Sequence, residues 1–240
     1  MPTLRSLVDD LYATLNINSD DTNIDRRSIK WYIKNKRATL IYNQLIKGIV
    51  HSSNYKQSIP CLELELVDVL LSDCCIGLSD GCQVLRSVEK IPTRLYIRGK
   101  DDLVVKPLNV FNYKFNHLSD HTKWIVSGNG KFNSRDIFTV VIDDYLYVKS
   151  TDKNIAKLLG KYVYVEGIFD DPESLRDFTT CDTNRPCFSE DEEYPIEDWM
   201  IDVIKQEIIK SDLRYALSIP EDKSNDATNE VTMQNGGRAS

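Results

Sequence analysis

The sequence predicts an α+β protein: a helical N-terminal hairpin and a C-terminal helix around a mainly antiparallel β module, with an extended C-terminal arm. Three observations predict it. Apolar residues recur at helical spacing near both ends, alternate with polar residues through the middle, and become rare after Ile219. The boundaries that follow are 1–50 for the hairpin, 51–178 for the β module, 179–195 for an acidic linker, 196–217 for the C-terminal helix and 218–240 for the polar arm.

Leu4, Leu7, Val8, Leu11, Tyr12 and Leu15 are three and four residues apart, which places them on one helical stripe behind Thr3 as N-cap. The polar run Asn16 to Asn23 ends that helix. A longer helix is predicted from about Ile24 to Lys47, with Asp25 in its first turn, Ile29, Ile33, Leu40, Ile41 and Leu45 along it, and Gly48 as its stop. From Ser58 the period becomes two: Leu62-Glu63-Leu64-Glu65-Leu66 alternates as a half-buried strand does. Further strands are predicted at Arg94 to Arg98, Leu108 to Phe115, Lys123 to Val126, Ile137 to Ile142, Tyr145 to Val148 and Lys161 to Phe169. Gly128-Asn129-Gly130 and Asp143-Asp144 read as turns, and Asp152 to Leu159 as a short helix stopped by Gly160. The polar, proline-bearing stretch Thr179 to Pro195 reads as a loop or linker. Ile196, Trp199, Met200, Val203, Ile204, Ile208 and Ile209 then return to helical spacing. The segment from Pro220 to Ser240 has too little apolar surface to offset its own ordering entropy, so order in it is expected only where a partner chain holds it.

The chain has 240 residues, 30 basic and 37 acidic, for a net charge of −7. No stretch approaches the roughly 20 apolar residues of a membrane span. Met1-Pro2-Thr3-Leu4-Arg5 leads into a charged amphipathic segment, unlike a secretory signal, so a chain that stays in a cytosol is expected. The acidity argues against a general nucleic-acid binder but leaves room for a local basic face. Of the six cysteines, Cys61, Cys74, Cys75 and Cys82 share one region, and Cys181 and Cys187 flank a later loop. None of these spacings suits a zinc site, and reduced thiols are expected, with a Cys181–Cys187 bridge as the alternative.

No constellation for catalysis emerges. Gly128 and Gly130 lack the Lys and Ser or Thr of a phosphate loop. His117 and His121 have the separation of a zinc-protease pair, but no Glu follows His117 and the flanks read as strand and loop. Asp170 with Asp171, or Glu190 to Glu193, supply the carboxylates of a metal-dependent hydrolase, although such runs are usually solvated or docking faces. The predicted absences are therefore catalytic residues, cofactor sites and metal sites.

Charge segregation is the informative feature. Arg26, Arg27, Lys30, Lys34, Lys36 and Arg37 crowd the second helix together with Trp31 and Tyr32. Asp170, Asp171, Glu173, Asp177, Asp182, the run Glu190 to Glu193, Glu197, Asp198 and Asp202 crowd the later third. Two readings are open: the surfaces bind neighbouring copies head to tail, or they pair within one subunit. A nucleic-acid-binding or regulatory module built on helix 26–37 is the functional alternative, recognised by affinity that falls steeply with salt.

The run Asp25-Arg26-Arg27-Ser28-Ile29-Lys30-Trp31-Tyr32-Ile33, the β-rich middle, Tyr194-Pro195-Ile196 and the ending Ile219-Pro220-Glu221-Asp222-Lys223-Ser224-Asn225-Asp226 resemble tailed-phage virion proteins. The pattern is most similar to the head-to-tail connector, or portal-adaptor, ring proteins of crAss-like, short-tailed bacteriophages. That resemblance implies a non-enzymatic adaptor, in a ring of twelve copies, clamped to the portal and next to a further tail ring or hub. Genome DNA would pass through its lumen, and assembly would take place in the host cytoplasm without a membrane partner. The charge segregation, independently of the resemblance, predicts a contact surface on the basic helix (Arg26, Arg27, Lys30, Trp31, Lys34, Arg37). The resemblance implies a second set toward the C terminus (Trp199, Met200, Ile204, Ile208, Tyr215, Ile219, Pro220).

Overall fold

The computed structural model describes residues 2–16, 25–49, 53–68, 83–97, 103–108, 115–119, 136–150 and 160–212. Helix α1 spans Leu4–Asn16 and α2 spans Arg26–Lys47. The start of α1 is closed reciprocally: the Ser6 amide donates to Thr3 Oγ1 at 3.1 Å and the Thr3 amide to Ser6 Oγ at 3.0 Å. Asp25 proves to be the extended N-cap residue of α2, just before the first turn. At its other end Gly48 has φ 69°, its N–H meets the Leu45 carbonyl at 3.0 Å, and the Ile49 N–H meets Gln44 at 3.2 Å. This is a Schellman stop, which requires a left-handed residue that glycine adopts without penalty.

Among the described residues seven strands follow: β1 Gln57–Asp68, β2 Gln83–Ser87, β3 Val104–Pro107, β4 Asn116–His117, β5 Ile137–Ile142, β6 Tyr145–Ser150 and β7 Tyr162–Gly167. They lie in the order β3-β7-β1-β2-β6-β5-β4, antiparallel except for β4 against β5. Long β1 serves two wings. Its first half pairs with β7, from Gln57 opposite Gly167 to Glu63 opposite Tyr162, and its second half with β2, from Leu64 opposite Ser87 to Asp68 opposite Gln83. The β5–β6 turn is Asp143-Asp144 with φ of 51° and 69°, the pair of positive angles that a two-residue type I′ hairpin demands.

One core joins the elements. Leu7 and Leu11 of α1, Ile33 and Ile41 of α2, and Ile59, Leu62, Val105, Val163 and Val165 of the sheet all bury into it. So do Met200, Ile204 and Ile208. Alternate residues on β2, β5 and β6, namely Val84, Phe138, Val140 and Tyr147, form a small second cluster. Helix α3 spans Asp198–Glu207 and passes into a π turn at Ile208–Asp212. The architecture is α+β, as the periodicity predicts.

Several expectations change. Of the strand predicted at Arg94 to Arg98, the described residues 94–97 form no strand: Arg94 makes an isolated bridge to Phe169, and the next strand along the chain is β3. The predicted strand at Lys123 to Val126, the Gly128–Gly130 turn, the helix at Asp152 to Leu159 and the polar arm from Pro220 lie outside the described residues, as does most of Leu108 to Phe115. The stretch 179–195 has no helix or long strand, but it is docked and not free. Phe188 and Tyr194 are buried, the Tyr194 amide donates to Pro2 at 3.0 Å, and the Arg5 amide donates to Glu190 at 3.2 Å. Isolated bridges, Thr179 to Pro186 and Glu193 to Thr3, and the two aromatic anchors hold it down. The thiol expectation is overturned for one pair, while Cys74, Cys75 and Cys82 lie outside the described residues. Cys61, at the β1 bulge between Ile59 and Leu62, is disulfide-bonded to Cys181 across 120 residues. Cys187 remains a free thiol, pushed up to about 11 by burial and then by the nearby Glu192. Spacing along a chain reveals local pairs, and this pair is made by the sheet.

Candidate assembly surfaces

Helix α2 contains no acidic residue, so each of its cations seeks a partner elsewhere. Arg26 reaches Asp9 at 3.0 Å and stacks over the Tyr12 ring at 5.2 Å. Lys30 reaches Glu190 at 2.6 Å, Lys34 bonds Asp171 at 2.9 Å and also Glu173, and Lys36 lies 3.5 Å from Glu207. Arg176 closes the cluster on Glu190 at 2.9 Å. Hydrogen bonding from Lys30, working against burial and aided by Arg176, holds the Glu190 carboxyl below its ordinary value. Burial disfavours charge on Lys34, but the bonds to Glu173 and Asp171 outweigh it and leave the ammonium above its ordinary value.

Arg37 lies deepest, fully buried. Its Nε donates to the Pro195 carbonyl at 2.8 Å and Nη1 to Phe169 at 2.9 Å, while Nη2 reaches Tyr55 at 3.5 Å. The guanidinium also sits 5.8 Å from the Tyr194 ring centroid. Burial lowers its affinity for the proton, but a guanidinium stays charged in proteins. Arg37 thus ties α2 to the end of β7, to the turn before β1 and to the loop before α3. The basic helix meets the acidic third within one subunit at Lys30, Lys34 and Lys36. Arg37, expected on a contact surface, is an internal strut.

The predicted C-terminal contact residues divide in the same way. Met200, Ile204 and Ile208 belong to the core, Trp199 is exposed, and Tyr215, Ile219 and Pro220 lie outside the described residues. Of the predicted α2 residues Arg26, Arg27 and Trp31 are exposed, and the helix also exposes two large apolar residues that sequence reasoning overlooked, Tyr42 and Ile46. Tyr42 follows Trp31 by eleven positions, three helical turns, which was the available signal. On α3 the exposed residues are Asp198, Trp199, Asp202, Gln206 and Glu207, the first three at its start.

The carboxylates weighed as catalytic groups have structural duties. Asp171 accepts from the Glu173 amide at 2.9 Å to cap the short 3-10 helix Pro172–Asp177, and Glu190 is held by two cations. His117 sits in β4 with Nδ1 3.1 Å from Thr139 Oγ1. Among the described residues no group of three or more metal-ligating side chains comes together, and no helix is long and apolar enough to cross a membrane.

Over residues 6–231 the chain matches the family model described as phage tail ring protein 2 of the crAss ring proteins. It belongs to that family. It is 27% identical over 234 residues to Ring protein 2 of Bacteroides phage crAss001, covering 95% of this chain and 98% of that relative. A tail ring protein is a structural component of the phage particle, and the surfaces that matter for such a chain are those that meet other subunits. Of the residues expected on such surfaces, Arg26, Arg27, Trp31 and Trp199 are exposed, while Lys30 and Lys34 are paired within the chain.

Proposed function

We propose that the chain is a structural, non-enzymatic subunit of the portal–tail connector ring of a phage virion. Twelve copies form the ring, which joins the portal to the next tail ring or hub and lines part of the channel through which genome DNA leaves. The particle assembles in the host cytoplasm. The observation that carries this reading is the ring-family match across nearly the whole chain. It is supported by the structural employment of the carboxylates that an enzyme would need free. The nucleic-acid alternative on helix 26–37 loses support, because Lys30, Lys34 and Lys36 have acidic partners in the same chain and Arg37 is buried.

Electron-microscopic imaging of purified particles, with the chain located by a labelled antibody or a fused tag, tests the proposal. A ring of label at the junction of head and tail is the expected result. Label on the capsid shell, on fibres or nowhere in the particle overturns it.

A further inference from the structure

A ring of more than two identical chains is built from a heterologous contact, so each subunit must carry two different surfaces that fit one another. The exposed faces of α2 and α3 meet that requirement. Trp31, Tyr42 and Ile46 are 58%, 44% and 59% exposed. At about 100° per residue, Tyr42 lies about 20° and Ile46 about 60° around the helix from Trp31, so the three form one apolar line about 22 Å long. Arg27 stands beside it with no ion pair among the described residues, and the helix supplies no acidic group to the line. Trp199 is 46% exposed at the start of α3. Asp198 and Asp202 flank it, unpaired among the described residues, on the face away from buried Met200 and Ile204. One patch is aromatic and basic, the other aromatic and acidic.

Their placement matters as much as their chemistry. Within the subunit α2 meets α3 and the loop before it through Lys36 and Arg37, about 140° and 240° around the helix from Trp31. The Trp31 line therefore opens away from α3, and the two patches do not cover each other. Tryptophan at the centre of a contact with charges at its edge is the usual anatomy of a protein–protein interface. We infer that the Arg27-Trp31-Tyr42-Ile46 face of one copy docks on the Asp198-Trp199-Asp202 face of the next. This rests on the ring reading above and adds to it the pair of surfaces that closes the ring.

The test uses two full-length variants, Trp31→Asp and Trp199→Asp, followed by native mass spectrometry and analytical ultracentrifugation over a range of concentrations. Wild-type chain should self-associate beyond the dimer, and each variant alone should associate at least about tenfold more weakly. Mixed at equal concentration, the variants should form a heterodimer and nothing larger, because each retains the one face that its partner needs. Trp31→Phe and Trp199→Phe should associate as wild type. If an aspartate variant fails to fold, the charges report instead: Arg27→Glu, or Asp198→Lys with Asp202→Lys, should each weaken association, and the combination should restore it. Wild-type chain that stays monomeric, variants that assemble normally, or variants that do not pair on mixing each overturn the inference. Normal association of Trp199→Asp alone would show α2 pairing with its own copy, which also overturns it. None of these outcomes touches the ring reading, which fails instead if images place the chain outside any ring.

Discussion

The two faces of α2 use similar residues for opposite ends. On the inner face, Lys30, Lys34 and Arg37 are within bonding distance of carboxylates or carbonyls from segments more than 130 residues away, and Arg37 is sealed from solvent. On the outer face Arg27 and Trp31, from the same short run of sequence, project into solvent. Composition makes the helix look like one basic surface, whereas the fold spends most of that charge on holding the chain to itself. A cation on a helix is available to a partner only after the chain's own carboxylates have been satisfied.

Breaking the inner face should be costly. Arg37→Ala leaves three buried carbonyls without their donor and opens a void, and should destabilise by about 3–5 kcal/mol. Against a total stability of about 5–15 kcal/mol, that is close to unfolding and is measurable as a shift in the urea midpoint. Next comes the covalent tie that holds the docked loop: Cys61→Ser should cost about 2–4 kcal/mol, read as a lower Tm that added reductant does not lower further. A wild-type Tm that is equally insensitive to reductant would show that the loop docks by its aromatic anchors alone.

Smaller effects sharpen the contrast. Glu190→Gln should cost about 1 kcal/mol by chemical denaturation at neutral pH. Because the folded-state value of Glu190 is depressed, its contribution is present above the ordinary carboxylate value of 4.5 and is lost as pH falls through the lower folded value. The difference between wild type and Glu190→Gln should therefore close in acid, and a pH-independent difference would assign the effect to packing. Among the described residues the fully buried Tyr194 hydroxyl has no hydrogen-bond partner, so Tyr194→Phe should leave stability unchanged or raise it slightly. On the outer face, Trp31→Asp should shift stability by less than about 0.5 kcal/mol, as exposed substitutions do. A large loss there would make Trp31 part of the fold and erase the distinction between the faces.

Local signals in the sequence were reliable where local physics decides. The limits of α2, its glycine stop and the Asp143-Asp144 hairpin follow from periodicity and from residues that tolerate positive φ, and the structure has them within a residue or two. Arg37 illustrates the other case. It sits among Lys34, Lys36 and Trp31, and nothing adjacent to it shows that Tyr55, Phe169 and Pro195 will converge on its guanidinium. The Cys61–Cys181 pair and the docking of Phe188 and Tyr194 depend in the same way on contacts far apart in the chain. Tyr42 and Ile46 were legible from helical spacing, but burial elsewhere on α2 had to be known before their exposure carried meaning.

The sharing of β1 has a dynamic consequence. Leu64 stands at the junction: its N–H donates to the Lys161 carbonyl at 2.7 Å on one side, and its register partner on the other is Ser87. The two wings bond different halves of this strand, Gln57–Glu63 and Leu64–Asp68, so either wing can release its half while the other keeps its hydrogen bonds. Amide exchange should accordingly differ along β1, with Gln57–Glu63 reporting the opening of the β7 wing and Leu64–Asp68 that of the β2 wing. A pull applied to either wing would reach the other only through the backbone of β1 at this handover.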